Sequence, residues 1–269
     1  MTTAEQPSAG HEELVASALA QPWYHTIDLG GGRHTPGSVD LRKTAPKLLP
    51  ASLGGKRALD VGTFDGFWCY SMEALGAELT AIDLESFDDT DLPPRNRPHL
   101  QAETIDGVPS DRWRLAHQIL GSNARWVASR IYDLTPEKIG GLVDYVVVSD
   151  LLIHLRDPVG GLEAVRSVLK PDGRLLLSEQ VNPWLTITNP RKPTGSFQPM
   201  RHNYNWWEGN LACVRGWLWQ AGFVPQKRSF FRLRAVKGQN RPHVAFESTV
   251  DPDFTPSWRG RPEGYLPTR

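Results

Sequence analysis

A glycine turn and an aspartate have the spacing of a nucleoside-binding site. Residues 60–66 read DVGTFDG and follow a short apolar run that can form a strand. Glycine directly after a strand lets the backbone turn tightly and lets a ligand lie against it. Asp83 ends the next apolar run, about twenty residues later, where its carboxylate can accept hydrogen bonds from both hydroxyls of a ribose. The spacing predicts a site for an adenosyl group. The turn lacks the GxGxxG pattern, which disfavours a nicotinamide cofactor.

A further acidic residue fits the predicted adenosyl site. Asp133 stands between Tyr132 and Leu134 at the end of the third strand-like run. In a doubly wound sheet this position lies over the adenine, so the carboxylate can accept from the adenine amino group while a neighbouring side chain packs on the ring. The alternative is that Asp133 caps the helix that TPEK begins, and the two roles are compatible.

Only a parallel sheet brings the ends of these runs together. Strand-like runs alternate with segments of helical periodicity, which is typical of an α/β protein. The predicted strands are 57–61, 78–83, 124–129, 144–149 and 174–179, the predicted helices are 11–20, 41–49, 67–75, 113–120, 158–169 and 206–221, residues 23–40 are a predicted loop, and a late strand or hairpin begins at 223. The predicted fold class is therefore α/β, with a doubly wound, Rossmann-like, mostly parallel sheet.

Composition disfavours several classes of protein. The 269 residues carry 30 basic and 30 acidic side chains, whereas a dedicated binder of long nucleic acid needs a basic excess. Two cysteines are too few for a disulfide scaffold or a cysteine zinc site. Apolar runs stay below the roughly 18 residues of a membrane helix, and the polar first residues are unlike a signal peptide. We expect a cytoplasmic protein without membrane or nucleic-acid partners, and a homo-oligomer is compatible with these data.

Several stretches of the chain carry a family resemblance. The combination of LDVGTFDGFW, TAIDL, IYDL and VDYVVVSDLLIHLRDPVGGLEAVRSVLKPDGRLLLSE resembles the class I S-adenosylmethionine (SAM) dependent methyltransferases. Within that class it resembles the branch near the tRNA wobble-uridine carboxymethyltransferases, whose lead-in is similar to WYHTIDLGGGRHTPGSVD. The likeness covers residues 23–223, which is most of the chain.

The resemblance implies a role for each part of the predicted cofactor site. Residues 24–37 fold over the cofactor, the glycine turn surrounds its methionine part, Asp83 holds the ribose and Asp133 lies near the adenine. The predicted cofactor-binding residues are Tyr24, His25, Asp60, Gly62, Thr63, Asp65, Gly66, Asp83, Leu84, Tyr132, Asp133, Leu134 and Ser149. The cofactor that this set implies is SAM.

The same reasoning divides the chain into three parts. Residues 1–50 supply helices and the loop that covers the cofactor. Residues 51–235 form the SAM-binding core, with a substrate lid at 181–205, and residues 236–269 form a carboxy-terminal strand or tail.

The chain departs from the tRNA enzymes at a position that contacts their carboxylated cofactor. Those enzymes carry a tyrosine just before the histidine of a YHRRSP segment, whereas this chain has Ile153 in LLIHLRDP. The basic residues expected to hold the extra carboxylate have no clear counterpart, although Arg42 and Lys43 lie nearby. This departure favours ordinary SAM as the donor, and the neutral net charge disfavours a tRNA anticodon. We expect a relative that acts on a small molecule.

The carboxyl ends of the fourth and fifth predicted strands carry the candidate catalytic groups. Asp150 and His154 follow the fourth strand, and Glu179 ends the fifth. Methyl transfer to a hydroxyl or amine needs a base for the proton, and transfer to an alkene carbon needs a base that removes a proton afterwards. Glu179 is the first candidate for this base and His154 is the second. The alternatives are a structural hydrogen-bond acceptor at Glu179 and a satisfied strand-end histidine at His154.

The tryptophan-rich segment after the fifth strand is the predicted substrate region. Aromatic faces stabilise cations, and basic side chains bind anionic groups. The predicted substrate-binding residues are Asp150, Trp184, Arg201, His202, Tyr204, Trp206, Trp207 and Trp219. An apolar acceptor with an anionic head, such as a prenyl diphosphate undergoing C-methylation, suits this set, and only such a diphosphate would bring Mg²⁺. The alternative is that the tryptophans are core and the basic residues are solvated.

Three competing functions can be distinguished by simple observations. A tRNA wobble-uridine modifying enzyme of the same fold needs a positive stripe that leads into the cofactor cleft. A non-catalytic member would bind SAM without turnover. An oxidoreductase on a Rossmann-like sheet would bind NAD more tightly than SAM, and the chemistry of the glycine turn disfavours it.

Overall fold

The computed structural model describes residues 9–97, 109–198, 204–234 and 240–254. In chain order its elements are α1 (Ala9–Leu19), β1 (Trp23–His25), β2 (Asp28–Gly30), β3 (Arg33–His34), β4 (Gly37–Val39), α2 (Ala45–Leu48), β5 (Arg57–Val61), α3 (Phe67–Glu73), β6 (Glu78–Asp83), α4 (Pro109–Leu120), β7 (Arg125–Ala128), α5 (Pro136–Ile139), β8 (Val143–Ser149), α6 (Pro158–Ser167), β9 (Leu169–Gln180), α7 (Pro183–Thr188), β10 (Gly195–Phe197), β11 (Trp207–Gly209), α8 (Leu211–Gln220), β12 (Phe223–Arg234) and β13 (Asn240–Val250). Single 3₁₀ turns cover Phe87–Asp89, Ile131–Asp133 and Leu152–His154.

A seven-stranded sheet with the order β12-β13-β9-β8-β5-β6-β7 forms the centre of the molecule. The five strands from β9 to β7 are parallel, and β13 runs antiparallel between β9 and β12. Strand β8 reads VDYVVVS and is buried on both faces, as a central parallel strand must be. The predicted fold class, a mostly parallel doubly wound α/β sheet, is confirmed.

Each face of the sheet has its own apolar core, because side chains alternate along a strand. One face carries Tyr145, Val147 and Leu176 and packs against α1, α3, α4 and the amino-terminal segment; we call it the cap face. The other carries Val146 and Leu177 and packs against α6 and α8; we call it the α6 face. The carboxyl ends of β5, β6, β8 and β9 lie between these two cores and position the site.

The segment predicted to be a loop at 23–40 is instead a small folded unit, which we call the cap (residues 23–39). Strand β1 pairs with β4 in parallel, and β2 pairs with β3 in antiparallel fashion. A Cβ atom at Gly37 would lie 2.1 Å from the backbone of His25, so only glycine allows this pairing. The correction arises because strands of two or three residues leave no periodicity in a sequence.

Other element boundaries also differ from the sequence prediction. The helix expected at 158–169 ends at Ser167, and β9 already pairs through Leu169 before residues 170–173 bulge from the ladder. The helix expected at 206–221 begins only at Leu211, because Asn210 caps it by accepting from the Cys213 amide at 2.8 Å. Within the described residues, no helix is both long enough and apolar enough to span a lipid bilayer.

Candidate active site

The glycine turn and Asp83 meet at the carboxyl ends of β5 and β6. Gly62 has a φ of +73°, and its amide donates to the Ile82 carbonyl at 2.9 Å. The Asp83 carboxylate accepts from the backbone amides of Phe64 and Leu84, each at 2.7 Å. Phe64 has a φ of +52°, which a non-glycine residue rarely adopts, so Asp83 also holds a strained turn. Burial disfavours the charged form and raises the pKa of Asp83 to about 6.

A cleft of about 410 Å³, a volume that includes the open space at its mouth, lies beside this turn. Its mixture of apolar walls with a few polar groups is typical of a small-molecule site. The cavity is lined by Val61, Gly62, Ile82, Asp83, Leu84, Asp89, Asp91, Ser129, Arg130, Ile131, Tyr132, Leu151 and Leu155. Four of the predicted cofactor residues, Gly62, Asp83, Leu84 and Tyr132, are therefore brought together around one space.

The third predicted acid lies apart from this lining. Asp133 is exposed at the end of its 3₁₀ turn, and Leu134 is buried in the core of the α6 face. The helix that begins at Pro136 is capped by Thr135, whose side chain accepts from the Lys138 amide at 3.4 Å, and not by Asp133. The contact between Asp133 and an adenine stays a prediction.

Asp91 is a structural residue of the site that sequence reasoning missed. Its Oδ2 accepts from the Tyr132 hydroxyl and from the Arg156 amide, each at 2.7 Å. Its backbone carbonyl accepts from the indole of Trp206. Asp91, in the segment that follows β6, thus joins three later segments over the cavity. No local pattern marks it, because its partners lie 41, 65 and 115 residues away along the chain.

The cap is attached to the glycine turn through Asp65. This carboxylate is fully buried and accepts from the backbone amide of His25 and from His25 Nδ1, both at 2.7 Å. The His25 ring stacks on Phe67 at 5.2 Å, and Tyr24 meets Phe64 edge-on at 5.6 Å. The structure therefore brings the predicted residues Tyr24, His25 and Asp65 together, as a folded cover over the turn requires.

Four further predicted cofactor residues lie outside the lining of this cavity. A Cβ at Gly66 would lie 2.3 Å from the Tyr70 ring, so this glycine is required by packing. Asp60 is buried, and burial raises its pKa to about 7. Hydrogen bonds from the Thr63 side chain and the Cys69 amide oppose this rise. Ser149, also predicted, is half-buried at the end of β8. Contacts of these residues with the cofactor stay a prediction.

Glu179 holds the backbone of the turn that follows β8. Its Oε1 accepts from the amides of Leu151 and Leu152 at 2.9 and 2.7 Å. Burial, with a contribution from the nearby Asp150 charge, raises the pKa of Glu179 well above its usual range. Among the described residues, Oε2 has no hydrogen-bond partner. The structural alternative for this residue thus has direct support, and its role as a base stays a prediction.

His154 lies in the same turn and has a defined tautomer. Its Nδ1 is 3.0 Å from the backbone carbonyl of Tyr204. A carbonyl only accepts, so Nδ1 carries the hydrogen and Nε2 carries the lone pair. Burial lowers the pKa of His154. The residue is therefore a neutral imidazole whose Nε2 carries the lone pair, which is the form that a general base needs.

Asp150 has a partner that the sequence did not indicate. Its Oδ1 is 2.8 Å from His243 Nε2, on the antiparallel strand β13. The Asp150 amide also donates to the Ser178 carbonyl at 2.8 Å. Asp150, predicted as a substrate residue, thus lies on the cap face beside His243, whereas Glu179 reaches the same turn from the α6 face. The alternation of side chains along β13 is the only sequence pattern that could have placed His243 on the cap face.

The predicted substrate residues separate into three groups. Trp206 and Trp207 lie together around the Phe197 ring, with centroids 6.0 and 5.1 Å away. Trp184 and Trp219 project into solvent and are 70% and 53% exposed. Arg201 and His202 lie outside the described residues, and Tyr204 contributes its backbone carbonyl to His154. The structure therefore brings together Trp206 and Trp207 alone among these aromatics, and a substrate pocket lined by them stays a prediction.

No cation site supports the conditional prediction of Mg²⁺. Across the described ranges, no group of three or more His, Cys, Asp or Glu side chains is arranged to hold a metal ion.

Comparisons with known proteins agree with this geometry. A family model described as a methyltransferase domain matches residues 34–241. The ubiquinone biosynthesis O-methyltransferase of Xanthomonas axonopodis pv. citri is 32% identical over 162 residues, which is 60% of this chain and 57% of that protein. Its counterpart in Xanthomonas oryzae pv. oryzae is 30% identical over 183 residues, 66% of each chain. The chain thus spans less than two thirds of the length of these curated relatives.

Solved structures share the fold at low sequence identity. The BH2331 protein of Bacillus halodurans has a TM-score of 0.52 and 13% identity, covering 78% of this chain and 98% of that one. The PH0226 protein of Pyrococcus horikoshii has a TM-score of 0.51 and 16% identity, covering 78% and 88%. Fold and site together define a class I SAM-dependent methyltransferase. The chain belongs to the methyltransferase domain family, and the predicted membership of this class is confirmed.

Proposed function

We propose that this protein transfers the methyl group of SAM to a hydroxyl group of a small, largely apolar acceptor, with His154 as the base. The observation that carries the proposal is the state of His154, a neutral imidazole with its Nδ1–H bound to the Tyr204 carbonyl and its Nε2 free to accept a proton. The curated relatives bear the name O-methyltransferase, which favours a hydroxyl over a carbon acceptor.

The residues around the cavity fit an adenosyl cofactor. Asp83 still has acceptor capacity beyond its two backbone contacts, because each carboxylate oxygen has two lone pairs. Ile131, Tyr132 and Leu155 offer apolar surface for a purine ring. When bound, SAM supplies an electrophilic methyl group on a sulfonium. The cap, attached to Asp65, excludes water from the methionine side of this site.

His154 and the turn that carries it supply proton transfer and position. The Nε2 lone pair would take the proton that the acceptor hydroxyl loses on methylation, and the lowered pKa keeps the imidazole neutral at pH 7. Glu179 fixes the same turn by accepting from two successive amides. We therefore assign Glu179 a holding role and His154 the catalytic role, which reverses the order that the sequence suggested.

The aromatic cluster of Phe197, Trp206 and Trp207 supports an apolar acceptor. The Arg156 guanidinium lies over the Trp206 ring, 5.0 Å from its centroid, and its Nε lies 3.7 Å from the Asp91 carboxylate, which balances its charge. An aromatic acceptor with a hydroxyl suits this combination. The narrower prediction of C-methylation of a prenyl diphosphate would instead use Glu179 Oε2, which is fully buried.

A substrate panel tests the proposal. The full chain is incubated with SAM labelled in its methyl group and with hydroxylated aromatic acids, catechols, prenyl diphosphates with Mg²⁺, or tRNA. We expect label in the hydroxylated aromatics and its loss in His154→Gln. Label only in a prenyl diphosphate would support the Glu179 mechanism, and label only in tRNA would support the wobble-uridine alternative. Either result would refute hydroxyl methylation.

A further inference from the structure

The histidine on β13 reaches Asp150 across the edge of the sheet. The side chain of His243 is 2% exposed, and its ring stacks on Phe231 with centroids 5.2 Å apart. Because β13 runs antiparallel to β9 with His243 opposite Gln180, the imidazole lies level with the end of β8, which is on the other side of β9. The contact joins residues 93 positions apart.

Both ring nitrogens of His243 face hydrogen-bond acceptors. Nδ1 lies 2.9 Å from the backbone carbonyl of Arg241, and Nε2 faces the Asp150 carboxylate. A carbonyl oxygen only accepts, and an ionised carboxylate also only accepts, so each ring nitrogen must carry a hydrogen. An imidazole with two N–H groups is a cation. The contact is therefore a buried ion pair.

The surroundings of His243 both raise and lower its pKa. Burial lowers the pKa of His243, but the hydrogen bond and charge of Asp150 outweigh burial, so the pKa is raised above its usual value. Arg241, on the same strand, opposes this shift. Tyr24 of the cap and His154 lie near the same two charges, because Asp150 and Arg241 also affect the pKa of each of these residues.

This contact holds a backbone that is otherwise unfavourable. Asp150 has a φ of +50°, in the left-handed region that residues other than glycine rarely adopt. The turn after it carries Leu151, which lines the cavity, and His154. Glu179 holds the turn from the α6 face, and His243 holds it from the cap face. Loss of either contact would free the turn to leave its strained conformation.

We propose that His243 is a positioning residue: its imidazolium clamps Asp150 and so keeps residues 150–154 in the conformation that presents His154 to the acceptor. The inference rests on the proposed function in one respect, the role of His154 as the base. The charge of His243 can be measured without any acceptor.

Nitrogen NMR of histidine tests this charge. The full chain is labelled with ¹⁵N-histidine and titrated alone and with S-adenosylhomocysteine. We expect both His243 nitrogens to stay protonated to a higher pH than those of an ordinary histidine, whose pKa is about 6.5, while His154 shows the neutral Nδ1–H form. Asp150→Asn should lower the midpoint of His243. His117→Gln is the control and should leave the titration of His243 unchanged. Like His243, His117 stacks on an aromatic ring, that of Trp113, and contacts a backbone carbonyl. A neutral His243 at pH 6.5 overturns the proposal.

Two substitutions separate positioning from simple packing. His243→Phe keeps an aromatic ring against Phe231 but removes both N–H groups, whereas His243→Gln retains a donor for Asp150. With the acceptor found in the panel, we expect kcat to fall about 10–100-fold in His243→Phe, with partial recovery in His243→Gln. KM for SAM should change by less than about threefold. An unchanged kcat in both variants overturns the proposal. Failure of S-adenosylhomocysteine to bind would contradict the proposed function. It would leave the charge of His243 testable, because the titration of His243 is also measured on the protein without ligand.

Discussion

The cavity beside β5 and β6 and the turn after β8 form two halves of one sheet edge, and they are assembled in different ways. In the first half, Phe64 and Asp83 are 19 residues apart and belong to one β–turn–α–β unit. In the second half, His154 depends on Tyr204, 50 residues away, and Asp150 depends on His243, 93 residues away. The contact that holds the glycine turn, on what we call the donor side, is therefore local in sequence, and the turn after β8, which we call the acceptor side, is closed by distant segments.

This difference separates two functional requirements. We expect the contacts around Asp83 to recognise the cofactor through one β–turn–α–β unit. The acceptor side takes its groups from β9, β13 and the segment around Tyr204, which can change without altering the glycine turn. We infer that substrate selection lies in the distant segments, and the following predictions test this separation from the largest expected effect to the smallest.

The largest effect should come from the acceptor side. His154→Gln removes the basic nitrogen, and kcat should fall about 10²–10⁴-fold with little change in SAM affinity. In the wild type, kcat should fall as the pH drops through the pKa of His154, since the protonated ring has no lone pair, and this midpoint should lie below the usual value of about 6.5. Steady-state kinetics against pH, with His117→Gln as control, measures both. A kcat within about threefold of wild type would remove His154 from the mechanism.

The next effect belongs to the donor side and should leave the acceptor side intact. Asp83→Ala removes charged acceptors for the ribose hydroxyls and releases the Phe64 amide, so SAM should bind about 100-fold more weakly by calorimetry. Glu78→Ala, at the exposed start of the same strand, is the matched control and should bind SAM normally. Equal affinities in the two variants would place the cofactor elsewhere.

Substitutions of Glu179 distinguish a residue that holds the backbone of the turn from one that acts as the base. Glu179→Ala leaves the amides of Leu151 and Leu152 without an acceptor and should lower the free energy of unfolding by about 1–3 kcal/mol. Glu179→Gln keeps an acceptor oxygen, so its kcat should stay within about threefold of wild type. Denaturant unfolding and kinetics of both variants decide the matter. A loss of kcat in Glu179→Gln that exceeds the loss in His154→Gln would restore Glu179 as the base.

The smallest effect should arise at the cap. Asp65→Asn preserves shape but weakens the contacts to His25, and should cost about 1–2 kcal/mol of stability and lower Tm by a few degrees. Thermal unfolding with and without S-adenosylhomocysteine measures this, with Asp111→Asn, exposed on α4, as control. If Asp65→Asn changed acceptor KM but not cofactor affinity, the cap would belong to the acceptor side.

Local patterns were sufficient for much of the donor side. The run LDVGTFDG and the aspartate at the end of TAID were recognisable because a strand, a glycine turn and a strand-end acid are adjacent in the chain. The alternation of strands and helices likewise indicated the parallel sheet, which the structure confirms. The short strands of the cap were missed, since two or three residues carry no periodic signal.

The sequence by itself therefore determined the sheet, the glycine turn and the place of Asp83, because each depends on residues close together in the chain. Only the tertiary structure decided that Asp91 joins three segments, that Glu179 faces two backbone amides and that His243 meets Asp150. These contacts depend on strand register and on which face a side chain occupies. A shift of one residue in β13 would have turned His243 to the α6 face, and the strand by itself does not show that Asp150 is the partner of His243.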